Sequence, residues 1–194
     1  MPTTRPAPTL SAIMLGLVAP LLAITPAQAT GITYISFEDV TATCNFVTSQ
    51  PLRDRYAAAK FRGPSATDGG AVINTCGGFG VAPRTGVNFL ALRTSGSTLA
   101  NGGTPRGPEK INLPSRQKKV TIWVSRGGSS VGPATFRLVA RRSGSTVTSA
   151  TVSTATSPWA ELTVRNRRGI DSVTLSAPTE PDGVWLADDL TMVK

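Results

Sequence analysis

The sequence contains no histidine, two cysteines and few aromatic residues. Without histidine, the chain cannot form a Ser-His-Asp or Cys-His nucleophile system, nor a zinc or iron site built on imidazole. Any catalysis would depend on carboxylates, lysine, tyrosine or serine alone. Acidic residues are also scarce, 11 against 20 lysines and arginines, so the 194-residue chain carries a formal net charge of +9. We therefore predict a basic protein about one domain long, with no catalytic residues.

Helical periodicity is lacking, whereas short apolar runs with a period of two recur along the chain. Val120, Ile122 and Val124 share one face of such a run. Further predicted strands are Ile32–Phe37, Tyr56–Phe61, Asn88–Arg93, Phe136–Ala140, Thr146–Ser153, Ala160–Val164, Ile170–Ser176 and Val184–Val193. About nine or ten short strands separated by glycine-containing turns predict an all-β, antiparallel β-sandwich.

No apolar run is long enough to cross a membrane. The N-terminal run, residues 12–24, contains Pro20 and is about 13 residues long, short of the roughly 20 that a spanning helix needs. Arg5 precedes this run and Ala27-Gln28-Ala29 follows it, the pattern of a secretory signal peptide. We predict a signal peptide at 1–29 and an exported domain at 30–194, secreted or periplasmic and without a membrane span or anchor.

Cys44 and Cys76 both lie in the predicted exported part. An even number of cysteines in an oxidising compartment predicts a disulfide bond, here Cys44–Cys76. Such a loop closure stabilises the fold by roughly 3 to 4 kcal/mol if the native geometry is unstrained. A cysteine-ligated metal lacks its other ligands.

Acidic pairs stand near both ends of the predicted domain. Ser36-Phe37-Glu38-Asp39 opens it, and Trp185-Leu186-Ala187-Asp188-Asp189-Leu190 closes it. In these segments the chain resembles galactose-binding-domain-like jelly rolls, in particular exported bacterial domains that begin on Phe-Glu-Asp and end on Asp-Asp-Leu. The resemblance implies a jelly-roll fold like that of many carbohydrate-binding modules. Because this fold serves sugar binders, adhesive modules and accessory domains alike, the resemblance constrains the fold better than the activity.

The same resemblance implies a candidate metal site. In this fold the first and last strands often lie close together, and their carboxylates can hold a structural calcium ion. Oxygen ligands suit Ca²⁺, and the candidates here are Glu38, Asp39, Asp188 and Asp189. Strand alternation places Asp39 and Asp188 on the inward side, where an unpartnered carboxylate is costly.

Two other interpretations of these carboxylates stay open. They can cap strand ends or pair with Arg53 or Arg55, which needs no metal. They can also be the acid and base of a glycan hydrolase or lyase, which requires two carboxyl groups facing one cleft. No spacing in the sequence places them in a cleft.

Trp123 and Trp159 are the candidate ligand-binding aromatics, because sugar-binding surfaces present flat aromatic faces. The alternative is that these residues and Trp185 pack in the core or at its rim, as large aromatics usually do. Tyr34 and Tyr56 fall inside strand patterns, and we expect them in the core or at a sheet edge.

Basic residues occur in pairs near predicted strand ends: Lys118-Lys119, Arg141-Arg142 and Arg167-Arg168. They either form a solvated surface that resists edge-to-edge pairing or attract an anionic polymer. Without a nucleic-acid motif or interleaved aromatics, we expect no dedicated nucleic-acid partner. The leading hypothesis is a secreted, non-catalytic domain that recognises a carbohydrate or an anionic surface polymer. An exported structural or adhesive protein is the alternative, and a carboxylate-based hydrolase the third.

Overall fold

The structure is a computed structural model. It describes residues 31–46, 49, 51–64, 69–93, 106–127, 133–154, 158–177 and 184–194. The predicted signal peptide lies outside these ranges and stays a prediction. None of the described helices has the length and apolarity of a membrane span.

Nine strands occur within the described ranges, and all pair antiparallel. Their bounds are β1 Ile32–Ile35, β2 Lys60–Arg62, β3 Ala71–Asn74, β4 Asn88–Arg93, β5 Glu109–Ser125, β6 Thr135–Arg142, β7 Ser145–Ser153, β8 Ala160–Ser176 and β9 Val184–Val193. A short 3₁₀ helix, Thr75–Gly77, follows β3.

The long strands β5 and β8 run through both layers of a sandwich. The second half of β5 pairs with β9 and with the first half of β8, and β9 continues to β1 and β4. The first half of β5 pairs with β2 and with the second half of β8, and β8 continues to β6 and β7. The hydrogen-bonded path is therefore continuous, and it folds back on itself where β5 and β8 change register between Asn112 and Lys119.

The core lies between the two layers. Val120, Ile122 and Val124 project from the first layer and are fully buried, which confirms the predicted alternation. Phe136 and Leu138 project from the second layer and are also fully buried. Burying such side chains stabilises the fold by about 1.5 to 3 kcal/mol each.

A smaller apolar cluster covers the outer face of β3, β4 and β9. Phe89 and Leu186 are buried there beneath Phe46 and Phe79. The predicted disulfide Cys44–Cys76 is confirmed, with Cα atoms 4.9 Å apart. The disulfide joins the segment that contains Phe46 to the 3₁₀ helix after β3, so it holds this cover in place.

Several strand predictions were wrong in extent: β1 ends at Ile35 and not at Phe37, and β5 begins at Glu109, well before the predicted run at Val120. Tyr56–Phe61 is not one strand, since pairing with β5 begins at Lys60. Residues 160–164 and 170–176 belong to one strand, β8, interrupted only by a bulge. The short run Ala71–Asn74 was missed because four residues after two glycines give no measurable period. The bounds of β4 and β9 were predicted correctly.

Candidate functional site

The outer face of the four strands β1, β9, β5 and β8 carries the candidate site, called here the open face. Paired residues on neighbouring strands point to the same side of a sheet. Lys119 pairs with Val193 on one side and Arg165 on the other, and Val193 pairs with Ile32. These four residues therefore form one row across the open face. Ile32 is 69% exposed, which places this row on the solvent side.

The next row of the open face contains hydroxyl groups. Tyr34 pairs with Thr191, which pairs with Thr121, which in turn pairs with Thr163. The hydroxyls of Thr121 and Thr163 are hydrogen-bonded to each other at 2.7 Å. Tyr34, at one end of this row, is 53% exposed, whereas Thr121 in the middle of the row is buried. The row thus places an aromatic ring beside several fixed hydroxyls.

Trp123 marks the far end of the open face. It pairs with Asp188 on β9 and with Glu161 on β8. The guanidinium of Arg84 lies 3.9 Å from the centre of the Trp123 ring, a cation–π distance. One side of this indole is therefore covered by the chain itself, so Trp123 and Arg84 form a wall and not a free stacking surface.

Tyr34 is fixed by a buried carboxylate. Its hydroxyl donates a hydrogen bond to Asp189, which is 1% exposed and also accepts from Thr85 Oγ1 at 2.7 Å. Arg84 forms an ion pair with the same carboxylate. Desolvation, followed by the hydrogen bond to Asp189, raises the pKa of Tyr34 above its usual value. The tyrosine therefore stays protonated and its ring has a defined position.

Asp188 is buried beside Asp189, and backbone amides donate hydrogen bonds to its carboxylate. Its Oδ2 accepts from the backbone amides of Arg84 and Thr85 at 2.9 and 3.3 Å, and its Oδ1 accepts from the amide of Asp189 at 2.8 Å. Burial and the neighbouring Asp189 charge raise the pKa of Asp188 to about 7, against the opposing effect of the three amides. This carboxyl anchors the segment that carries Arg84.

The other acidic pair is divided between two tasks. Glu38 accepts from the backbone amides of Val87 and Asn88 at 3.1 and 2.8 Å. Asp39 forms an ion pair with Arg55 at 3.4 Å and accepts from the Tyr56 hydroxyl at 2.6 Å. Glu38 therefore holds the same loop that Asp188 anchors. Asp39 pairs with Arg55, one of the two arginines that the sequence suggested as its partner.

The structure engages these four carboxylates with backbone amides, hydroxyls and guanidinium groups. Across the described part of the chain, no three acidic or cysteine side chains come together in a group able to hold a metal. Oxygens that would ligate Ca²⁺ accept hydrogen bonds or face a guanidinium, and Ca²⁺ needs six or more oxygen ligands. A calcium titration of thermal unfolding tests the prediction directly.

The structure brings the two predicted ligand-binding tryptophans to one segment. Trp159 is half-buried and donates from Nε1 to the carbonyl of Ala82 at 2.9 Å. Trp123 contacts Arg84 of the same segment. Trp185 is fully buried and stacks edge-to-face on Phe136, as the core interpretation expected. Trp123 and Trp159 therefore hold the 82–88 loop in place.

Sequence reasoning missed Arg84 and underrated Tyr34. Arg84 lies in an irregular loop, directly after Pro83 and two residues before Gly86. In the sequence, this composition is typical of an ordinary turn. Tyr34 was assigned to the core or an edge, and it lies in edge strand β1 with its ring exposed. The only available signal was alternation with Ile35, which is buried on the opposite side.

No family model matches the chain, and no curated protein matches it. Among solved structures, the K2 cleaved adhesin domain of Lys-gingipain has a TM-score of 0.54 at 14% identity, covering 84% of this chain and 100% of that domain. The K1 cleaved adhesin domain of Lys-gingipain from Porphyromonas gingivalis W83 has a TM-score of 0.51 at 13% identity, covering 84% and 97%. A xylan-binding domain from CBM 22 has a TM-score of 0.43 at 14% identity, covering 77% and 94%. The likeness to the adhesin domains shows a shared fold and confirms the predicted β-sandwich jelly roll.

Proposed function

We propose that the chain is an exported, non-catalytic binding domain that holds a carbohydrate polymer on the open face. The observation that carries this proposal is the row of Tyr34, Thr191, Thr121 and Thr163. An exposed aromatic ring packs against the apolar face of a sugar, and the half-buried hydroxyls of Thr191 and Thr163 exchange hydrogen bonds with its hydroxyl groups.

The rigidity of this row supports binding. The hydroxyl of Tyr34 is held by Asp189, and those of Thr121 and Thr163 are held by each other and by Glu161. Because these side chains are already ordered, binding costs little further conformational entropy. A pre-formed polar surface with one aromatic is the form expected of a site for an extended, hydroxyl-rich ligand.

The state of the carboxylates supports a function without catalysis. A glycan hydrolase needs two carboxyl groups that flank a bond, with room for substrate between them. Asp188 and Asp189 are adjacent in sequence, buried and occupied by the amides and side chains of the 84–85 segment. Asp39 is engaged by Arg55 and Tyr56.

A protein ligand is the second candidate. Ile32 and Tyr34 are two of the three large apolar side chains that are exposed in the described residues, and both lie on the open face. The two neighbours with the same fold carry the name adhesin domain. An apolar surface of this kind also suits a protein partner.

A retention screen on immobilised polysaccharides separates these candidates. The purified protein is applied to neutral and acidic polymers at low and high salt, beside the variants Tyr34→Ala and Thr151→Ala. Thr151 is an exposed strand residue on β7, in the other layer. We expect salt-resistant retention that is lost in Tyr34→Ala and kept in Thr151→Ala. Retention by no polymer at either salt concentration contradicts the proposal and favours a protein ligand.

A further inference from the structure

Cationic side chains gather at one end of the open face. A pocket of about 520 Å³ opens there between β5, β8 and the end of β9. Its lining consists of Lys118, Lys119, Arg165, Asn166, Arg167, Val193 and Lys194. Lys119, Arg165 and Val193 belong to the row next to Tyr34, so this cationic pocket is continuous with the proposed carbohydrate surface.

The charges of the cationic pocket are not neutralised by the described part of the chain. Lys119 and Arg165 are directly paired across β5 and β8, an arrangement of like charges that destabilises a sheet. The ion pairs formed by described side chains lie elsewhere, at Asp39, Asp54 and Asp189. No aspartate or glutamate is among the described residues that line the pocket. The arrangement costs stability in the free protein, and an anion bound there would offset this cost.

The backbone of β8 is shaped to form this pocket. Between the pairs Lys119–Arg165 and Gln117–Ile170, β5 has one residue and β8 has four, so β8 bulges outward. Asn166 Oδ1 accepts from the amide of Arg168 at 2.8 Å and closes the bulge. Gly169 adopts a φ of 98°, which L-residues rarely adopt. The bulge therefore holds Arg167 at the rim of the pocket in a fixed backbone conformation.

We propose that the cationic pocket binds the carboxylate or sulfate groups of the polymer, so that the ligand of this domain is an acidic polysaccharide. This inference rests on the proposed function, because it assigns the chemistry of the polymer held on the open face. Arginine and lysine side chains form charge-assisted hydrogen bonds with such groups. The neighbouring Tyr34 and threonine row then contacts uncharged parts of the same chain.

The position of the cations favours a polysaccharide over a nucleic acid. Non-specific single-strand binding uses a cationic groove lined by several aromatic rings, on which successive bases stack. Here the cations are concentrated at one end, and the adjoining row offers one exposed ring and several hydroxyls. That combination matches a hydroxyl-rich chain with intermittent negative groups.

Calorimetric titrations with four polymers test the inference. Polygalacturonate carries carboxylates, dextran sulfate carries sulfates, poly(dT) carries phosphates and bases, and dextran is neutral. The pocket variant combines Lys119→Gln with Arg165→Gln. The control combines Arg137→Gln with Arg142→Gln on β6, which removes the same charge from the other layer. A thermal melt of each variant verifies folding, and removal of the paired like charges should leave the pocket variant at least as stable as the unmodified protein.

We expect the pocket variant to bind one acidic polysaccharide about tenfold more weakly, since hydrogen bonds to charged groups are among the strongest. The control variant should bind within about twofold of the unmodified protein, as exposed charges remote from a site contribute little. Equal weakening in both variants would overturn the inference in favour of diffuse charge, and preference for poly(dT) would overturn it in favour of a nucleic acid. Binding to dextran alone would overturn the inference of an acidic ligand while leaving the proposed function intact. Failure to bind any polysaccharide would overturn the inference and the proposed function together.

Discussion

Tyr34 and Asp189 are joined by a hydrogen bond that links an exposed ring to a buried carboxylate. Tyr34 is 53% exposed on the open face, whereas Asp189 is 1% exposed. Asp189 adopts a φ of 51°, in the left-handed region, at the point where the pairing of β5 with β9 shifts register. The irregularity in β9 thus places the carboxylate under the tyrosine. The proposed binding surface is built on this contact.

Tyr34→Phe separates the ring from its anchor. The ring remains, so polymer binding should stay within about threefold of the unmodified protein if stacking dominates. The Asp189 carboxylate loses one donor but keeps Thr85 and Arg84, so the free energy of unfolding should fall by about 1 kcal/mol. Urea unfolding and polymer retention measure the two effects. Loss of binding with unchanged stability would show that the hydroxyl contacts the ligand and not the protein.

Asp188 should make stability depend on pH. Its pKa in the folded protein is about 7, against an ordinary value of 3.8, so between these values the folded state binds the proton more tightly than the unfolded state. The contribution of this carboxyl to the free energy of unfolding therefore falls as the pH rises from about 4 to 7, by at most about 1.4 kcal/mol per pH unit.

Asp188→Asn removes this titration and keeps an oxygen that can accept from an amide. The difference in unfolding free energy between the variant and the unmodified protein, measured from pH 4 to 8, should change across the same window and level off above it. A pH-independent difference would contradict the account of Asp188 as a buried carboxyl that titrates near pH 7.

Gly86→Ala tests the clamp that Glu38 forms on the 82–88 loop. Gly86 has a φ of 60°, and an added Cβ would overlap the Glu38 carboxyl. The substitution should displace Glu38 from the amides of Val87 and Asn88 and lower stability by about 2 to 4 kcal/mol, combining backbone strain with lost hydrogen bonds.

Gly144→Ala is the matched control for backbone strain. Gly144 has a φ of 82° with no atom within 4 Å of an added Cβ, so its substitution should cost about 1 to 2 kcal/mol. Thermal unfolding of both variants gives the comparison. Equal losses would show that Glu38 contributes nothing to holding the loop.

The disulfide should stabilise the outer apolar cluster. Replacing Cys44 and Cys76 together by serine should lower the free energy of unfolding by roughly 3 to 4 kcal/mol, as expected from loop entropy. Amide hydrogen exchange should increase around Phe46 and Phe79 more than at Ile122 in the main core. An equal increase in amide exchange in the two regions would mean that the disulfide does not stabilise the outer apolar cluster locally.

The fold class and the disulfide were predictable because they depend on local signals. Alternation at Val120, Ile122 and Val124 reports a strand with one buried face, and two cysteines leave one intramolecular pairing. The continuity of β8 was not predictable, since Gly169 and the charged residues before it have the composition of a turn. Only the pairing of both halves with β5 shows that the strand passes through a bulge.

The candidate site depended on strand register, which the sequence does not contain. Lys119 and Arg165 are far apart in the sequence but lie in one row of the open face. Tyr34 and Thr121 are also far apart in the sequence, and they lie together in the next row. The sequence showed the acidic residues near both ends but not the Arg84 segment that occupies Asp188 and Asp189. Trp123 and Trp159 were identified, but the same segment covers them in part.

The most direct test of the central claim is a backbone amide chemical-shift titration of the protein with an acidic oligosaccharide. Binding on the open face predicts the largest shifts at Tyr34, Thr163 and Lys119, with none at Thr151 on β7. Shifts confined to β7 or to the β6–β7 turn, or no shifts under conditions in which the polymer retains the protein, would contradict the assignment of the open face as the binding surface.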